Sequence, residues 1–390
     1  MSSPNLAAIR VLNCLHRSTP GGGQQRVLEV GEALLEKGVE TCVVFPEDDE
    51  VRYELMLRQR NVPYERMRLL QLRAARRVGN NIGFLLDLPF QVWRLVRLIR
   101  KREIDVVHVN GVTNVGPILA ALITKRPIIW HWNDTLTPQW FVNCAKWLVK
   151  APRVRLVAAS RAIPETYRLG CVRERFAGVL PPPVLFSDSS VDNGSKEEPI
   201  AGCPYGVQVL GYVSNLLAAK GALEFVEVVG MLRAEGLPLI GVMVGGVFSG
   251  HEQFAETVRR RAAMEGGAVR LLGHRQDIAG LMGRFDALLF PSHTEAAPIV
   301  VLQALARGLP IVATAVGNVA EVLDGLDMPV VSVGDIKAMA TGVRKVLSMS
   351  PVDRAAYATK ARRRIEDGYS LAAVVERHVA IYRAALDAAD

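Results

Sequence analysis

The chain has 390 residues, half of them hydrophobic, and a formal net charge of +8. At about 150 residues per domain it holds two or three domains, and its apolar content excludes extensive disorder. Cys14, Cys42, Cys144, Cys171 and Cys203 show no CxxC spacing, which argues against a disulfide framework or zinc site and fits a reducing compartment. No run nears the roughly 20 apolar residues of a bilayer span, and no signal-peptide pattern precedes the first strand, so a cytoplasmic location is expected. The positive charge suits acidic partners. Nucleic acid is not expected among them, because aromatics are only 6% of the chain and no nucleic-acid motif is present.

The first apolar run, residues 9–15, reads as a buried strand. Gly21, Gly22 and Gly23 follow it and lead into a helical stretch. Glycines there allow a ligand close to the backbone, and the helix start favours negative charge; a plain flexible connection explains them equally well. The run is not a GxGxxG fingerprint, and Phe45-Pro46 stands where a ribose-binding acid would end the second strand, which counts against a nicotinamide enzyme. Further strands are expected at 40–45, 104–109, 126–132 and 155–160, separated by helical stretches. Short apolar runs alternating with helices mark a parallel sheet covered on both faces. This gives a first doubly wound domain over 1–185.

Within that domain, Arg66, Arg68, Arg73, Arg76 and Arg77 form one basic cluster. Arg94, Arg97, Arg100, Lys101 and Arg102 form a second, with apolar Phe84, Leu85, Leu86, Phe90 and Trp93 between them. They read either as a solvated helix face over a core or as a surface docking to an anionic membrane or acceptor. Trp130, Trp132, Trp140 and Trp147 are expected in the core and the wall of a cleft.

Residues 186–200 are polar and contain Gly, Ser and Pro, as a linker does. A second β/α series runs over 201–370, with strands expected at 207–213, 239–245, 269–273, 287–292, 311–314 and 329–333. The stretch from Pro351 to Asp390 reads as wholly helical. Two doubly wound domains in succession predict a ligand cleft at the carboxyl ends of their strands. In the segment 292–325, Glu295 stands just before a helix, Pro298 suits its first turn, Gln303 lies within it and Gly308 ends it. An acid at such a turn can hold sugar hydroxyls while the helix start binds phosphate oxygens.

These residues carry a resemblance. Glu295, with Ala306, Gly308, Pro310, Ile311, Val312, Ala313, Thr314, Gly317 and Glu321, is similar to the signature of glycosyltransferase family four, retaining enzymes of the GT-B type. The strand-glycine-helix opening, Asp105, His108 and Gly111, Ser160 and the last helix resemble the family's other landmarks, so the likeness covers nearly the whole chain. It implies two Rossmann-like domains facing a cleft, with C-terminal helices bridging them and residues 371–390 crossing back to the first domain. It places Lys220 on the diphosphate lysine, Glu295 at the donor sugar and His131 close to that sugar. Gly22, Gly23, Asn215, Pro298 and Gln303 fall at donor-binding positions.

Two departures stand out. Gln303 replaces the acid that in the family grips the ribose diol, and Asn215 replaces its phosphate-binding arginine. Gln still bonds hydroxyls but without charge assistance, a loss of about 1 kcal/mol. The resemblance implies transfer from a nucleoside-diphosphate sugar to a saccharide or lipid-linked hydroxyl, with retention and with no cofactor or metal; the two basic clusters add a peripheral anionic membrane as a partner to expect. A non-catalytic nucleotide-sugar-binding protein and a sugar-nucleotide epimerase of the same architecture are the competing readings.

Overall fold

The computed structural model describes residues 8–18, 22–47, 51–70, 78–184 and 206–389. Gly21, the 186–200 segment, Arg73, Arg76, Arg77 and Cys203 lie outside them. The chain divides into two compact units, residues 1–183 with 371–390, and residues 184–370.

Unit 1 runs β1 (Ile9–Cys14), α1 (Gly22–Leu35), β2 (Val39–Pro46), α2 (Arg52–Gln59), β3 (Tyr64–Met67), α3 (Val78–Lys101) and β4 (Val106–Asn110). It continues with α4 (Val115–Ile123), β5 (Ile128–Trp132), α5 (Gln139–Val149), β6 (Val154–Ala158), α6 (Ala162–Thr166) and β7 (Phe176–Val179). The strands form one sheet in the order β3-β2-β1-β4-β5-β6-β7, parallel throughout. The central strands β4 and β5 are buried at every position, His108, Asn110 and His131 included, because both their faces are covered. The order reverses between β1 and β4, which opens a crevice at their carboxyl ends.

Unit 2 repeats the plan. It runs β8 (Gln208–Val213), a 3-10 turn at Ala218–Lys220, α7 (Ala222–Ala234), β9 (Leu239–Val244), α8 (Glu252–Ala263), β10 (Val269–Gly273), α9 (Ile278–Met282) and β11 (Ala287–Phe290). Then come α10 (Ile299–Ala306), β12 (Ile311–Thr314), α11 (Val319–Leu323), β13 (Val330–Val331), α12 (Ile336–Leu347) and α13 (Pro351–Gly368). Its sheet order is β10-β9-β8-β11-β12-β13, and the reversal falls between β8 and β11. Two cores, one on each side of this sheet, meet the helices. Phe285, Leu302, Ile311 and Ile365 belong to one, and Phe225, Val229, Met339 and Val343 to the other.

The closing stretch is not one helix. Tyr369 leaves helical geometry after α13, and α14 (Leu371–Asp387) begins afresh. Ser350 caps α13, its hydroxyl accepting from Asp353 N at 3.1 Å, with Pro351 in the first turn. α14 belongs to unit 1. It packs beside α1, and Val374, Val375, Val379 and Tyr382 complete a core with Val11, Val30, Val106 and Ile129.

The tryptophan expectation needs correction. Trp130 and Trp132 are buried, but Trp140 and Trp147 are 50% and 80% exposed, because α5 turns Phe141, Val142, Ala145 and Val149 inward instead. Among the described residues no helix is long and apolar enough to cross a membrane.

Candidate active site

In unit 2 the crevice between β8 and β11 gathers the strongest chemistry. The loop after β8 closes in the 3-10 turn that ends on Lys220, and Gly221 follows with φ +68°. A Cβ there would stand 2.1 Å from the Pro291 carbonyl oxygen, so only glycine lets this turn lie against the end of β11. His293 N donates to Ala219 O at 2.9 Å and stitches the same two segments together. As a result Lys220 Nζ sits 2.5 Å from Glu295 Oε1. Ser292 Oγ donates to that oxygen at 3.3 Å, and Thr314 Oγ1 holds the Ser292 carbonyl at 2.5 Å. Gly317 backs the loop, since a Cβ would come within 2.8 Å of the Glu295 carbonyl oxygen.

Lys220 and Glu295 are both half-buried, their side chains 25% and 17% exposed. An ion pair so placed can be opened by a ligand that offers the ammonium an anion and the carboxylate a hydroxyl. Pro298 occupies the N-cap of α10 rather than its first turn. The free N–H groups behind it give the positive end of a helix three residues after Glu295. Gln303 lies in the second turn of α10, half-buried, with its carbonyl accepting from Arg307 Nη1 at 3.2 Å.

Asn215 is engaged by the protein itself. Its Oδ1 accepts from Gly246 N at 3.2 Å, and Leu216 N donates to Gly246 O at 2.9 Å. The loops after β8 and β9 are thereby tied together, with Gly245 so close that a Cβ would lie 1.8 Å from Ser214 O. Lys220 is thus left as the cation of this crevice among the positions named in the sequence.

Unit 1 holds the other named residues. Gly22 and Gly23 are the opening residues of α1 rather than a loop before it. A Cβ on Gly23 would meet nothing within 4 Å, so no packing inside the protein demands a glycine there. One turn further on, Arg26 turns inward. Its Nη1 lies 2.8 Å from a ring nitrogen of His131 and 3.4 Å from Asn133 Oδ1, and its Nη2 donates to Asn110 Oδ1. His108 Nε2 stands 3.2 Å from His131 Nδ1, and His108 Nδ1 2.7 Å from Tyr382 Oη. His378 donates from Nδ1 to Val374 O at 2.8 Å.

The rings of His108 and His131 are stacked, as are those of His108 and His378. Burial first, then neighbouring charge, holds His108 and His131 far below the usual imidazole range. Burial takes His378 down to about 3 and Arg26 down to about 10. The imidazoles are therefore neutral and can accept from the guanidinium. His131 is fully buried, with Arg26 against its ring.

The structure thus joins Lys220, Glu295 and the α10 start in unit 2, and places His131, Gly22 and Gly23 in unit 1. Sequence reasoning passed over Arg26, Asn110 and Tyr382, since nothing in a helical arginine or a late tyrosine announces an inward side chain. Ser292 was within reach, because it ends the strand that carries Glu295. Among the described residues no group of three or more His, Cys, Asp or Glu is placed to hold a metal ion.

Comparison with known proteins accords with this layout. Residues 207–349 match the family of glycosyl transferases group 1, and residues 21–163 match the glycosyl transferase 4-like domain. The capsular polysaccharide biosynthesis glycosyltransferase CapM of Staphylococcus aureus is 23% identical over 304 residues, 74% of this chain and 79% of that protein. Glycogen synthase of Mycobacterium tuberculosis is 27% identical over 183 residues, 46% of this chain but only 43% of the enzyme, so the chain spans less than half of that relative. Among solved structures, Anabaena HepE in complex with UDP-glucose superposes with a TM-score of 0.77 at 18% identity, covering 96% of this chain and all of the other. At that identity the likeness shows the fold.

Proposed function

Because the chain belongs to the group 1 glycosyltransferases, of the family-four GT-B type, we propose that it moves a sugar from a nucleoside-diphosphate donor to a hydroxyl of a saccharide or lipid-linked acceptor. In this reading the anomeric configuration is retained, the sugar is a hexose, and the product is a polysaccharide or glycolipid made at the inner face of a membrane. Unit 2 takes the donor and unit 1 the acceptor.

The observation that carries the reading is the Lys220–Glu295 pair, 2.5 Å apart at the strand-order reversal of unit 2 and ahead of the α10 start. A diphosphate entering this crevice takes over the lysine's charge and meets the helix end, and Glu295 is released to accept from sugar hydroxyls. When the bond between the anomeric carbon and the phosphate oxygen breaks, negative charge grows on that oxygen. Lys220 and the helix start stabilise it. The acceptor oxygen then bonds to the anomeric carbon on the same face, and its proton passes to the departing phosphate. Asn215 contributes by fixing the loop that presents Lys220. Positive charge at the leaving group comes from the protein, so the reading needs no metal ion, and turnover should survive treatment with a chelator.

The test is a panel of nucleotide sugars scored by thermal shift, followed by transfer to candidate acceptors and proton NMR of the product linkage. A donor that stabilises the protein and yields an α-linked product from an α-linked donor is expected. An inverted linkage would remove the retaining assignment. Binding with no transfer to any acceptor would favour the nucleotide-sugar-binding reading, and an isomerised donor without acceptor would favour an epimerase.

A further inference from the structure

α3 has two opposite faces. Phe84, Gln91, Leu95, Leu98 and Ile99 are buried. On the other side Ile82, Leu85, Leu86, Phe90 and Trp93 are 54%, 62%, 70%, 63% and 60% exposed. At 3.6 residues per turn, positions 82, 86, 90, 93, 97 and 100 fall on one stripe. Surface helices normally put polar residues there. Here the first half of the stripe is as apolar as the half that meets the core.

The end of the stripe is cationic. Arg97, Arg100 and Lys101 are all exposed, and the Arg97 guanidinium carbon lies 5.8 Å from the Trp93 ring centroid. The one acid of the helix, Asp87, is on another side, 12% exposed and paired with Arg94 and Arg68. The stripe thus carries apolar groups and cations with no carboxylate among them. A neutral apolar partner would have no use for three cations, and an acidic soluble ligand none for five large apolar side chains. A layer of anionic phosphates over hydrocarbon uses both.

We propose that this face of α3 docks on an anionic lipid bilayer. Ile82, Leu86 and Phe90 enter the acyl boundary, Trp93 lies at the headgroup level, and Arg97, Arg100 and Lys101 meet the lipid phosphates. The proposal deepens the functional reading above and rests on it only for the purpose of docking, which is to bring the enzyme to its acceptor.

The experiment is co-sedimentation of the full chain with vesicles of phosphatidylcholine alone and of equal parts phosphatidylcholine and phosphatidylglycerol. Binding to the anionic vesicles should exceed binding to neutral ones by at least ~10-fold and weaken with salt. The Phe90→Ser/Trp93→Ser variant should lose at least ~10-fold on anionic vesicles, because the apolar anchor is gone. Brominated lipid should quench the fluorescence of the wild-type protein, and Trp93→Phe should quench less. The thermal shift given by a nucleoside diphosphate should be unchanged in both variants, which shows that they are folded.

Equal binding to both vesicle types, or full binding by the double variant, would overturn the proposal. So would a concentration-dependent dimer in size exclusion that Leu86→Ser splits, since the face would then belong to a second copy. A failure of the glycosyltransferase reading would show in the transfer assay and leave the vesicle result untouched.

Discussion

At the scale of single residues, the unit 2 crevice turns on one contact, Lys220 Nζ to Glu295 Oε1 at 2.5 Å. Lys220→Ala removes the cation nearest the departing phosphate. Losing one such electrostatic group costs roughly 3 kcal/mol of barrier, about 160-fold in rate, so turnover should fall at least ~10-fold and by as much as about 1000-fold. Unchanged turnover in a variant with normal circular dichroism would take Lys220 out of the mechanism. Glu295→Gln keeps the shape and removes the charge, and both donor affinity and turnover should drop. If both survive, Glu295 does not touch the sugar. The two residues share a bond, so the double variant should lose less than the product of the single losses. Both were legible in the sequence because each sits in a patterned stretch, Glu295 between a strand end and Pro298, and Lys220 before a glycine and a helix. His131 was legible as a position but not as an environment. What it meets there is Arg26, more than a hundred residues earlier, and the inward turn of a helical arginine leaves no periodic trace.

At the scale of elements, the buried strands were readable because their apolar runs are continuous: Ile311–Thr314 came out at its observed limits. Two edge strands were not. β3 reads Tyr-Glu-Arg-Met and is half-buried along its length, so it has no apolar run to detect. β7 contains Gly178 at φ +140° and pairs on one side only, with β6. The turn that carries Lys220 makes its own prediction. Gly221 and Gly266 both have positive φ, +68° and +60°, but a Cβ at Gly266 meets nothing within 4 Å, whereas at Gly221 it meets a carbonyl oxygen. Gly266→Ala should cost about 1 kcal/mol, the usual penalty of the left-handed region. Gly221→Ala should cost at least ~2 kcal/mol, because the clash adds to it. Urea denaturation of the two variants separates the terms, and equal losses would mean that the two segments are not in close contact.

For the whole molecule, the three neutral histidines His108, His131 and His378 make stability depend on pH. Their folded values lie far below the ordinary 6.5. Above pH 6.5 neither state takes a proton there and the stability is fully present. Below it the unfolded chain binds protons that the folded chain refuses. Each histidine then costs about 1.4 kcal/mol per pH unit down to its folded value, which for His378 is about 3. The melting temperature should fall between about pH 7.5 and about pH 5.5, and a flat profile over that window would show the imidazoles to be solvated.

The same cluster ties α14 to unit 1 through Tyr382 and His108, and that has a consequence in time. Unit 1 takes its core residues Val374, Val375, Val379 and Tyr382 from the far end of the chain, after the whole of residues 184–370. A ribosome adding about 5–20 residues per second spends roughly 10–40 s on that stretch. Throughout it the nascent first unit has an uncovered apolar sheet face over Val11, Val106 and Ile129, and a buried arginine without its full set of neighbours. The first unit to be translated is therefore the last to be finished, and during synthesis it is unit 1 rather than unit 2 that a chaperone would hold.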